Sequence, residues 1–403
     1  MRALGTPSDQ GTGQDLLSPV RSLYVHVPFC SHKCEYCAFY SELLQPEQIN
    51  RYVDALCAEL RLIEGNLQPY TVFFGGGTPS ILSLSQWEQI CSTIRSFGWQ
   101  EIKEWTVECN PATVSLEKAQ LLRDAGVNRI SMGVQSLDAN LLARLGRIHS
   151  REQVFRSYDI LRQAGFENIN LDLMFAIPTQ TIETWQATLD EIISMQSDHV
   201  SCYEVIYEED TALFHQLQAG EFDVDESLAD DMYQLLVRRA REAGFTQYEI
   251  ANFAGRHSDD HLLDHPKKAA LHNINYWEGG GFFGAGPAAT ELIGNVRRKH
   301  WSNNQIYCDQ VEKGHRGLEN EERLSEETQW GEAAAFALRM NAGIVFSRFQ
   351  DQFGVNPLDK WKTEMEDLQK RGWGIVSEHA FRLTEQGLRF ADSAGSEFVY
   401  LGD

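Results

Sequence analysis

Three cysteines lie close together near the start of the chain, at Cys30, Cys34 and Cys37, in the spacing C-x3-C-x2-C. With 8 cysteines in 403 residues, chance would produce this spacing only about 0.003 times per chain. Thiolates are the usual ligands of iron-sulfur clusters, and three of them can bind three irons of a 4Fe-4S cubane. The fourth iron then stays open, which predicts a cluster that takes part in chemistry.

Two other interpretations of the three cysteines are a zinc site with a distant fourth ligand and three unconnected thiols. Structural zinc sites usually combine paired C-x2-C units into four ligands. Neither Cys57 nor Cys91 is close enough in the sequence to complete the loop. The spacing therefore favours the cluster.

The segments around the cysteines alternate between short apolar runs and longer stretches with helical periodicity. The predicted strands are residues 23–27, 72–74, 105–108, 129–134, 168–175 and 200–206, and the predicted helices include residues 46–63, 85–97, 115–125, 151–164 and 182–195. This alternation predicts an α/β fold with a parallel sheet. Six units are too few for a closed eight-unit barrel, so we expect an open, partial (β/α)6 barrel with its functional groups at the carboxyl ends of the strands.

Several polar or glycine residues follow or interrupt these strands. The sequence GGGTPS, residues 75–80, follows the second strand, where glycines allow positive φ and close approach of a ligand, or simply a tight turn. Glu108 ends the third strand, and its carboxylate could accept hydrogen bonds from ribose hydroxyls. Asp172 interrupts an apolar strand, which predicts a ligand contact, an ion pair to a residue such as Arg147, or a capping role.

The combined motifs resemble the radical S-adenosylmethionine superfamily, and within it the coproporphyrinogen dehydrogenase-like proteins of the HemW haem chaperone branch. The likeness rests on YVHVPFC, on the cysteine loop with Tyr36 before its last cysteine, on GGGTPS and on HNINYW. It covers roughly residues 20 to 395. It implies a 4Fe-4S cluster whose open iron binds S-adenosylmethionine, which an electron from the reduced cluster cleaves to a deoxyadenosyl radical.

The resemblance also implies which residues contact S-adenosylmethionine. The glycine-rich turn faces the amino group, and the expected contacts are Tyr24, Tyr36, Gly76, Gly77, Thr78, Glu108, Gln135, Arg147 and Asp172. For Gln135, Arg147 and Asp172 a purely structural role stays open.

HNINYW, residues 272–277, is tied to haem by the same resemblance. His272 is the expected axial ligand, and Tyr276 or Trp277 would pack on the porphyrin. The structural alternative is an aromatic-rich strand beside the glycine-rich turn at residues 279–286, with His272 or Asn273 bonded to the backbone.

The chain divides into four expected parts. Residues 1–20 form a flexible tail, residues 21–245 the barrel, and residues 246–323 a connecting region that contains HNINYW. Residues 324–395 resemble the carboxyl-terminal domain of the family and predict a winged-helix-like unit. His257, His261 and His265 would share a face of a helix in the connecting region, but Pro266 and its aspartates favour an exposed loop.

Composition limits the partners. The net charge of −23, from 35 basic and 58 acidic residues, argues against a nucleic-acid partner. We expect a cytoplasmic protein, because signal-peptide and membrane-span patterns are absent and free thiols suit a reducing compartment.

Two functions remain. The first is a haem chaperone that binds haem or a porphyrin and delivers haem to an acceptor protein, with an electron donor for the cluster and a possible homodimer. The second is an oxygen-independent coproporphyrinogen III dehydrogenase, which decarboxylates propionates by radical chemistry. The dehydrogenase pattern has a fourth cysteine where this chain has Phe39 and lacks HNINYW, which favours the chaperone. Methyl-acceptor features of a radical methyltransferase are not recognisable.

Overall fold

The computed structural model describes residues 20–260 and 265–399. Most of the predicted tail and the loop residue His261 therefore lie outside the described residues. The strands are β1 Val20–Val27, β2 Phe29–Cys30, β3 Glu42–Leu43, β4 Leu67–Gly76, β5 Glu104–Cys109, β6 Arg129–Gln135, β7 Ile169–Phe175, β8 His199–Glu204, β9 Phe245–Gln247, β10 Asn252–Gly255, β11 Phe283–Ala285, β12 Thr290–Ile293, β13 Val296–His300, β14 Leu318–Arg323, β15 Ile344–Val345, β16 Gly374–Val376 and β17 Ala380–Leu383.

The helices connect and cover these strands. They are α1 Pro46–Ile63, α2 Leu84–Ser96, α3 Leu116–Ala125, α4 Ala139–Arg144, α5 Arg151–Gln163, α6 Ile182–Ser194, α7 Ala212–Gln218, α8 Glu226–Glu242, α9 Leu271–Trp277, α10 Asn304–Val311, α11 Glu326–Ala337, α12 Phe346–Phe353, α13 Pro357–Lys360, α14 Lys362–Lys370, α15 Glu385–Leu388 and α16 Ala391–Ser396. Among the described residues, no helix combines the length and apolar composition needed to cross a bilayer.

The main sheet confirms the open, partial barrel. Its order is β11-β1-β4-β5-β6-β7-β8-β10-β9, and the six strands from β1 to β8 in this order are all parallel. At one edge β11 adds a further parallel strand to β1, and at the other β10 and β9 are antiparallel. The sheet does not close, because six βα units cannot complete the ring that eight form.

Alternation along the strands separates the core from the barrel interior. In β1, Leu23, Val25 and Val27 are fully buried under the helices, whereas Tyr24 and His26 point into the barrel beside aromatic and histidine rings. The residues of β1 that face the interior are thus polar, which predisposes the barrel to hold a ligand.

Helix α9 carries the HNINYW motif, so the alternative of an aromatic-rich strand is wrong. Glu104 holds its amino terminus, because the two carboxylate oxygens accept the backbone N–H groups of Leu271 at 2.8 Å and of His272 at 3.0 Å. Glu104 is the first residue of β5. Helix α9 therefore lies at the amino ends of the barrel strands, opposite to the end that carries the cysteines.

The carboxyl-terminal region packs around its own core. Strand β15 lies between helices α11 and α12, and the β16–β17 hairpin follows α14; together the strands form a small antiparallel sheet of order β15-β17-β16. Leu338, Ile344, Leu368 and Phe381 are fully buried in this core. Helices followed by a short hairpin are the order of elements expected for a winged-helix-like unit.

A buried cluster of charged and polar side chains connects helix α1 to the residues that follow helix α9. Glu59 of α1 is fully buried, and one of its oxygens lies 2.6 Å from Nε2 of His300. The other oxygen accepts the hydroxyl of Tyr307 at 2.8 Å and the N–H of Gly286 at 3.0 Å. Burial by itself would raise the pKa of Glu59, but His300 and then Arg316 lower that pKa to about 2.

We expect Glu59→Gln to lower the free energy of unfolding at pH 7 by about 3 kcal/mol, since it leaves the charge of a buried partner uncompensated. The folded pKa lies below the ordinary value of 4.5. The contribution of Glu59 is therefore complete above pH 4.5 and is lost as the pH falls from there towards 2. Denaturant unfolding of both proteins between pH 7 and pH 3 measures the difference, which should shrink on acidification.

Glu312→Gln is the matched control. Glu312 pairs with Arg51 on the exposed surface, with half of its own side chain open to solvent, and solvent screens such pairs so that they contribute little to stability. If Glu59→Gln and Glu312→Gln lowered the free energy of unfolding equally, the larger contribution expected from the buried pair would be contradicted.

Candidate cluster and cofactor site

A cavity of about 490 Å³ opens at the carboxyl ends of the barrel strands, where the fold predicts function. Eleven of the thirteen predicted site residues line it, and they are Cys30, Cys34, Tyr36, Cys37, Gly76, Gly77, Thr78, Glu108, Gln135, Arg147 and Asp172. Tyr24 and His272 are not among the lining residues. One cavity thus joins the cysteine loop to the polar ends of β4, β5, β6 and β7.

The cysteine loop leaves β1 through β2, which pairs with β3. The N–H of Cys37 donates to the carbonyl of Cys34 at 3.2 Å, and all three cysteines are half-buried. Burial raises the pKa of the Cys30 and Cys37 thiols. Nη1 of Arg147 lies 3.6 Å from Sγ of Cys34 and brings a positive charge to the loop.

The donor set fits a cubane better than a single metal ion. Within residues 20–260 and 265–399, no three His, Cys, Asp or Glu side chains converge on one metal site. A cubane instead uses a separate thiolate for each of three irons. Cys109 also lines the cavity, but its thiol points to the carbonyl of Val107 at 3.9 Å.

The glycine-rich turn is held against the start of the cysteine loop. The N–H of Gly77 donates to the carbonyl of Val27, and that of Thr78 to the carbonyl of Phe29, both at 2.8 Å. Gly76 has a φ of +102°, and a Cβ on Gly77 would lie 2.7 Å from the carbonyl oxygen of Phe29. Both positions therefore require glycine, and the turn leaves a backbone-lined cradle beside Cys30.

Two partly exposed carboxylates, Glu108 and Asp172, face the same cavity. Burial, followed by the charge of Asp172, raises the pKa of Glu108 to about 8. Burial also raises the pKa of Asp172, whose oxygens accept the hydroxyl of Ser131 at 3.0 Å and the amide of Asn170 at 2.7 Å. A cationic ligand such as a sulfonium would compensate both carboxylates.

The ion pair between Asp172 and Arg147, considered from the sequence, is not formed. Arg147 instead donates from Nη2 to the carbonyl of Gly133 at 2.6 Å and from Nη1 to Cys34. No ion pair of Asp172 occurs among the described residues. Asp172 is stabilised by neutral donors, and Arg147 by the cysteine loop.

Gln135 ends β6 in a strained backbone conformation, with a φ of 65°. The register between β6 and β7 shifts between Gly133 and Gln135. Such irregularities re-aim side chains next to functional sites. The irregularity directs Gln135 into the cavity.

Tyr24 lies behind the cavity rather than on its wall. Its hydroxyl donates to Nδ1 of His26 at 3.0 Å, and Nε2 of His26 donates to the carbonyl of Tyr40 at 2.9 Å. Burial lowers the pKa of His26 to about 4, which keeps its ring neutral. Tyr24 and His26 thus brace the segment that returns from the cysteine loop.

The structure does not bring His272 to the cofactor cavity. His272 is 1% exposed, and its ring stacks on Phe73 with 5.1 Å between centroids. Nδ1 lies 2.9 Å from the hydroxyl of Thr71, which itself donates to Ser22, so Nδ1 carries the proton. Nε2 then accepts the hydroxyl of Tyr276 at 2.8 Å. In this conformation the lone pair of Nε2, which an iron would need, accepts the hydrogen bond from Tyr276.

An exposed apolar rim surrounds the mouth of the cavity, and sequence reasoning missed it. The rim consists of Phe39, Ile148, Tyr203 and Ile206, which are 69%, 62%, 42% and 67% exposed. Exposed apolar side chains grouped in this way mark a contact surface for a ligand or partner. No local pattern reveals the rim, since its members come from three separate loops and one strand end.

Two family models match separate parts of this chain. The model of the radical SAM superfamily matches residues 24–192. The model of the HemN C-terminal domain matches residues 324–390. The first match contains the cysteine loop and most of the residues that line the cavity, and the second contains most of the carboxyl-terminal core.

Similar proteins include the haem chaperone HemW of Bacillus subtilis, which is 34% identical and aligns over 94% of this chain and 99% of its own. HemW of Lactococcus lactis is 30% identical, with 95% and 98% covered. Among solved structures, the fold resembles coproporphyrinogen III oxidase (HemN) from Escherichia coli, a radical SAM enzyme, with a TM-score of 0.80, 21% identity and coverage of 96% and 91%.

Proposed function

Because this chain belongs to the HemW family within the radical SAM superfamily, we propose that it is a haem chaperone, which binds haem and transfers it to acceptor proteins. The observation that carries the proposal is the similarity to haem chaperones over nearly the full length of both chains. The likeness to the coproporphyrinogen oxidase, at 21% identity, supports the fold alone.

Cys30, Cys34 and Cys37 would hold three irons of a 4Fe-4S cluster, which would supply one-electron chemistry to S-adenosylmethionine. Arg147 would hold Cys34 in place through its contact with Sγ, and the cradle of Gly76, Gly77 and Thr78 would offer backbone groups to S-adenosylmethionine.

The other cavity residues orient S-adenosylmethionine. Glu108 accepts hydrogen bonds from ribose hydroxyls, while Gln135 and Asp172 contact the rest of the molecule. Tyr36 and Tyr24 provide aromatic support, Tyr36 from the cavity wall and Tyr24 from behind it. A cationic ligand would favour the ionised forms of Glu108 and Asp172, whose pKa values are raised in its absence.

His272 is the proposed axial ligand of haem iron, with Tyr276 or Trp277 packed on the porphyrin. Ligation requires Nε2 to exchange the hydroxyl of Tyr276 for iron, because Nδ1 carries the proton. Helix α9 must therefore open locally when haem binds. A short helix of seven residues at the edge of the barrel is suited to such local opening.

The remaining proposals concern partners and location. A reducing protein supplies the electron for the cluster, and the chaperone acts in the cytoplasm, where thiols stay reduced. Association into a homodimer is also proposed. Its test is the molar mass of the protein with and without the cluster.

The function is tested with anaerobically reconstituted protein, given haem or coproporphyrinogen III in parallel. We expect a shifted Soret band with haem, transfer of that haem to apomyoglobin as a probe acceptor, and no protoporphyrinogen from the second substrate. Phe39, at the position of the dehydrogenase's fourth cysteine, is a control: Phe39→Cys should not create dehydrogenase activity. Conversion of coproporphyrinogen III by the unmodified protein would overturn the proposal.

A further inference from the structure

A continuous chain of buried hydrogen bonds links the cofactor cavity to helix α9. Asp172 accepts the amide of Asn170 at 2.7 Å, and Oδ1 of Asn170 lies 2.7 Å from Nδ1 of His199. Nε2 of His199 lies 2.8 Å from the hydroxyl of Tyr248, which accepts the N–H of Ala270 at 3.0 Å. Ala270 is the residue that precedes α9.

The chain runs down the inside of the barrel from the cavity towards its base. Asp172 lies mid-way along β7, Asn170 near the start of β7, and His199 at the start of β8, directly paired with Asn170. Asn170, His199, Tyr248 and Ala270 are each at most 5% exposed. Bulk water therefore cannot replace these bonds, and each break leaves a polar atom unsatisfied.

All bonds of the chain point in one direction when Asp172 is an anion. Asn170 must donate its amide to Asp172, so its oxygen accepts from Nδ1–H of His199. Nε2 of His199 then accepts the hydroxyl proton of Tyr248, and the oxygen of Tyr248 is left to accept from Ala270. Every group has a partner in this arrangement.

The reverse arrangement is possible but incomplete. If Asp172 becomes a donor, the Asn170 amide turns over and donates to Nδ1 of His199, whose Nε2–H then donates to Tyr248. The oxygen of Tyr248 now accepts from His199 and Ala270, and its own proton has no acceptor along the chain. The chain thus has two discrete states, and the charge on Asp172 selects between them.

His199 is suited to pass this change, because it is neutral. Burial, followed by the charge of Arg129, lowers the pKa of His199 well below its ordinary value. Ser201 flanks the chain, with its hydroxyl oxygen 3.0 Å from Oδ1 of Asn170 and 2.7 Å from Oδ1 of Asn252. Glu249 also lies nearby and accepts the amide of Asn252.

We propose that His199 and Tyr248 are positioning residues that couple occupancy of the cofactor cavity at Asp172 to the amino terminus of helix α9. A cationic ligand in the cavity holds Asp172 as an anion and so keeps the complete arrangement, in which Tyr248 donates to His199 and Ala270 is held. The coupling itself depends only on hydrogen bonds within the protein, whereas its consequence for haem binding rests on the proposed function.

The test uses reconstituted protein and the variant Tyr248→Phe, which removes one hydroxyl and keeps the ring. Hydrogen exchange of residues 270–277 is measured with and without S-adenosylmethionine, and haem affinity is measured in the same two conditions. In the unmodified protein, we expect S-adenosylmethionine to slow this exchange and to change the haem Kd, each by about fivefold or more. In Tyr248→Phe, we expect neither response, although S-adenosylmethionine still binds.

Tyr158→Phe is the matched control, because the hydroxyl of Tyr158 also bonds to a backbone group, donating to the carbonyl of Gln196 at 3.1 Å, but lies outside the chain of hydrogen bonds. It should keep both responses. Asn170→Ala breaks the chain of hydrogen bonds at its other end, so it should abolish the same two responses as Tyr248→Phe. It therefore provides the test if Tyr248→Phe folds poorly.

The outcomes separate the coupling from the proposed function. A response of residues 270–277 that persists in Tyr248→Phe and Asn170→Ala, or that is missing in the unmodified protein, would overturn the inference. An exchange response that both variants lose, together with a haem Kd that ignores S-adenosylmethionine, would support the coupling and place haem away from α9.

Discussion

Replacing Cys30, Cys34 and Cys37 together by alanine is expected to abolish cluster binding. Each cysteine is the proposed ligand of one iron, and within residues 20–260 and 265–399 no three His, Cys, Asp or Glu side chains converge on a metal site that could serve as a substitute. Anaerobic reconstitution should leave iron and sulfide near zero and the visible absorbance of the cluster absent. Binding of S-adenosylmethionine should fall by more than about 100-fold, because its iron contact is lost.

Cys57→Ala is the control for this substitution. Cys57 is a buried thiol of α1, away from the cavity, and its loss should leave iron and sulfide unchanged. The single variants Cys30→Ala, Cys34→Ala and Cys37→Ala should each lower the iron content. Undiminished iron and sulfide in the triple variant would exclude these residues as ligands and remove the basis of the proposed cofactor site.

The second large effect is expected at His272. His272→Ala should weaken haem binding by more than about tenfold and abolish the Soret shift, because the axial ligand is missing. The same variant also loses two buried hydrogen bonds, at a cost of about 2–3 kcal/mol. Loss of affinity by itself therefore does not distinguish a ligand from a structural residue.

Tyr276→Phe makes that distinction. Tyr276 donates its hydroxyl to Nε2 of His272, so removing the hydroxyl frees the lone pair for iron. A typical hydrogen bond contributes about 1 kcal/mol, and haem affinity should rise by about fivefold. Titration of haem into both variants, followed at the Soret band, measures the two opposite effects.

The apolar rim supplies the competing location. Ile206→Glu places a charge beside Phe39 and Ile148 at the mouth of the cavity and leaves α9 untouched. With His272 as the ligand, Ile206→Glu should keep the haem affinity. Haem binding that is lost in Ile206→Glu and kept in His272→Ala would place the porphyrin at the mouth and leave His272 as a packing residue of the barrel.

The fold could be predicted because its signals are local. Hydrophobic periodicity gave α1 its observed bounds of Pro46–Ile63 and placed the six parallel strands within a few residues of their positions. Periodicity records which face of an element is buried, and that face is already present in the order of the residues. The cysteine loop is local too, since Cys30, Cys34 and Cys37 lie within eight positions.

Most of the cofactor cavity could also be predicted, for a topological reason. The carboxyl ends of parallel strands meet at one end of a barrel, so residues that follow β4, β5 and β6 must come together once the strands are assigned. Glu108 and Gln135 lie in the cavity on this basis. Tyr24 is the exception, because its side chain turns towards His26 and Phe73 instead of the cavity.

The sequence by itself determined the spacing of the cysteines, the open barrel and the end of the barrel at which the cysteines lie, since each follows from spacing or from strand order. Only the tertiary structure decided the position of His272, which depends on Thr71, 201 positions away, and on the Glu104 carboxylate that begins α9. The chain of hydrogen bonds from Asp172 to Ala270 and the exposure of the apolar rim were likewise decided only by the tertiary structure. Each depends on contacts between side chains from elements that are distant in the sequence, and local periodicity does not indicate which distant residues will be in contact.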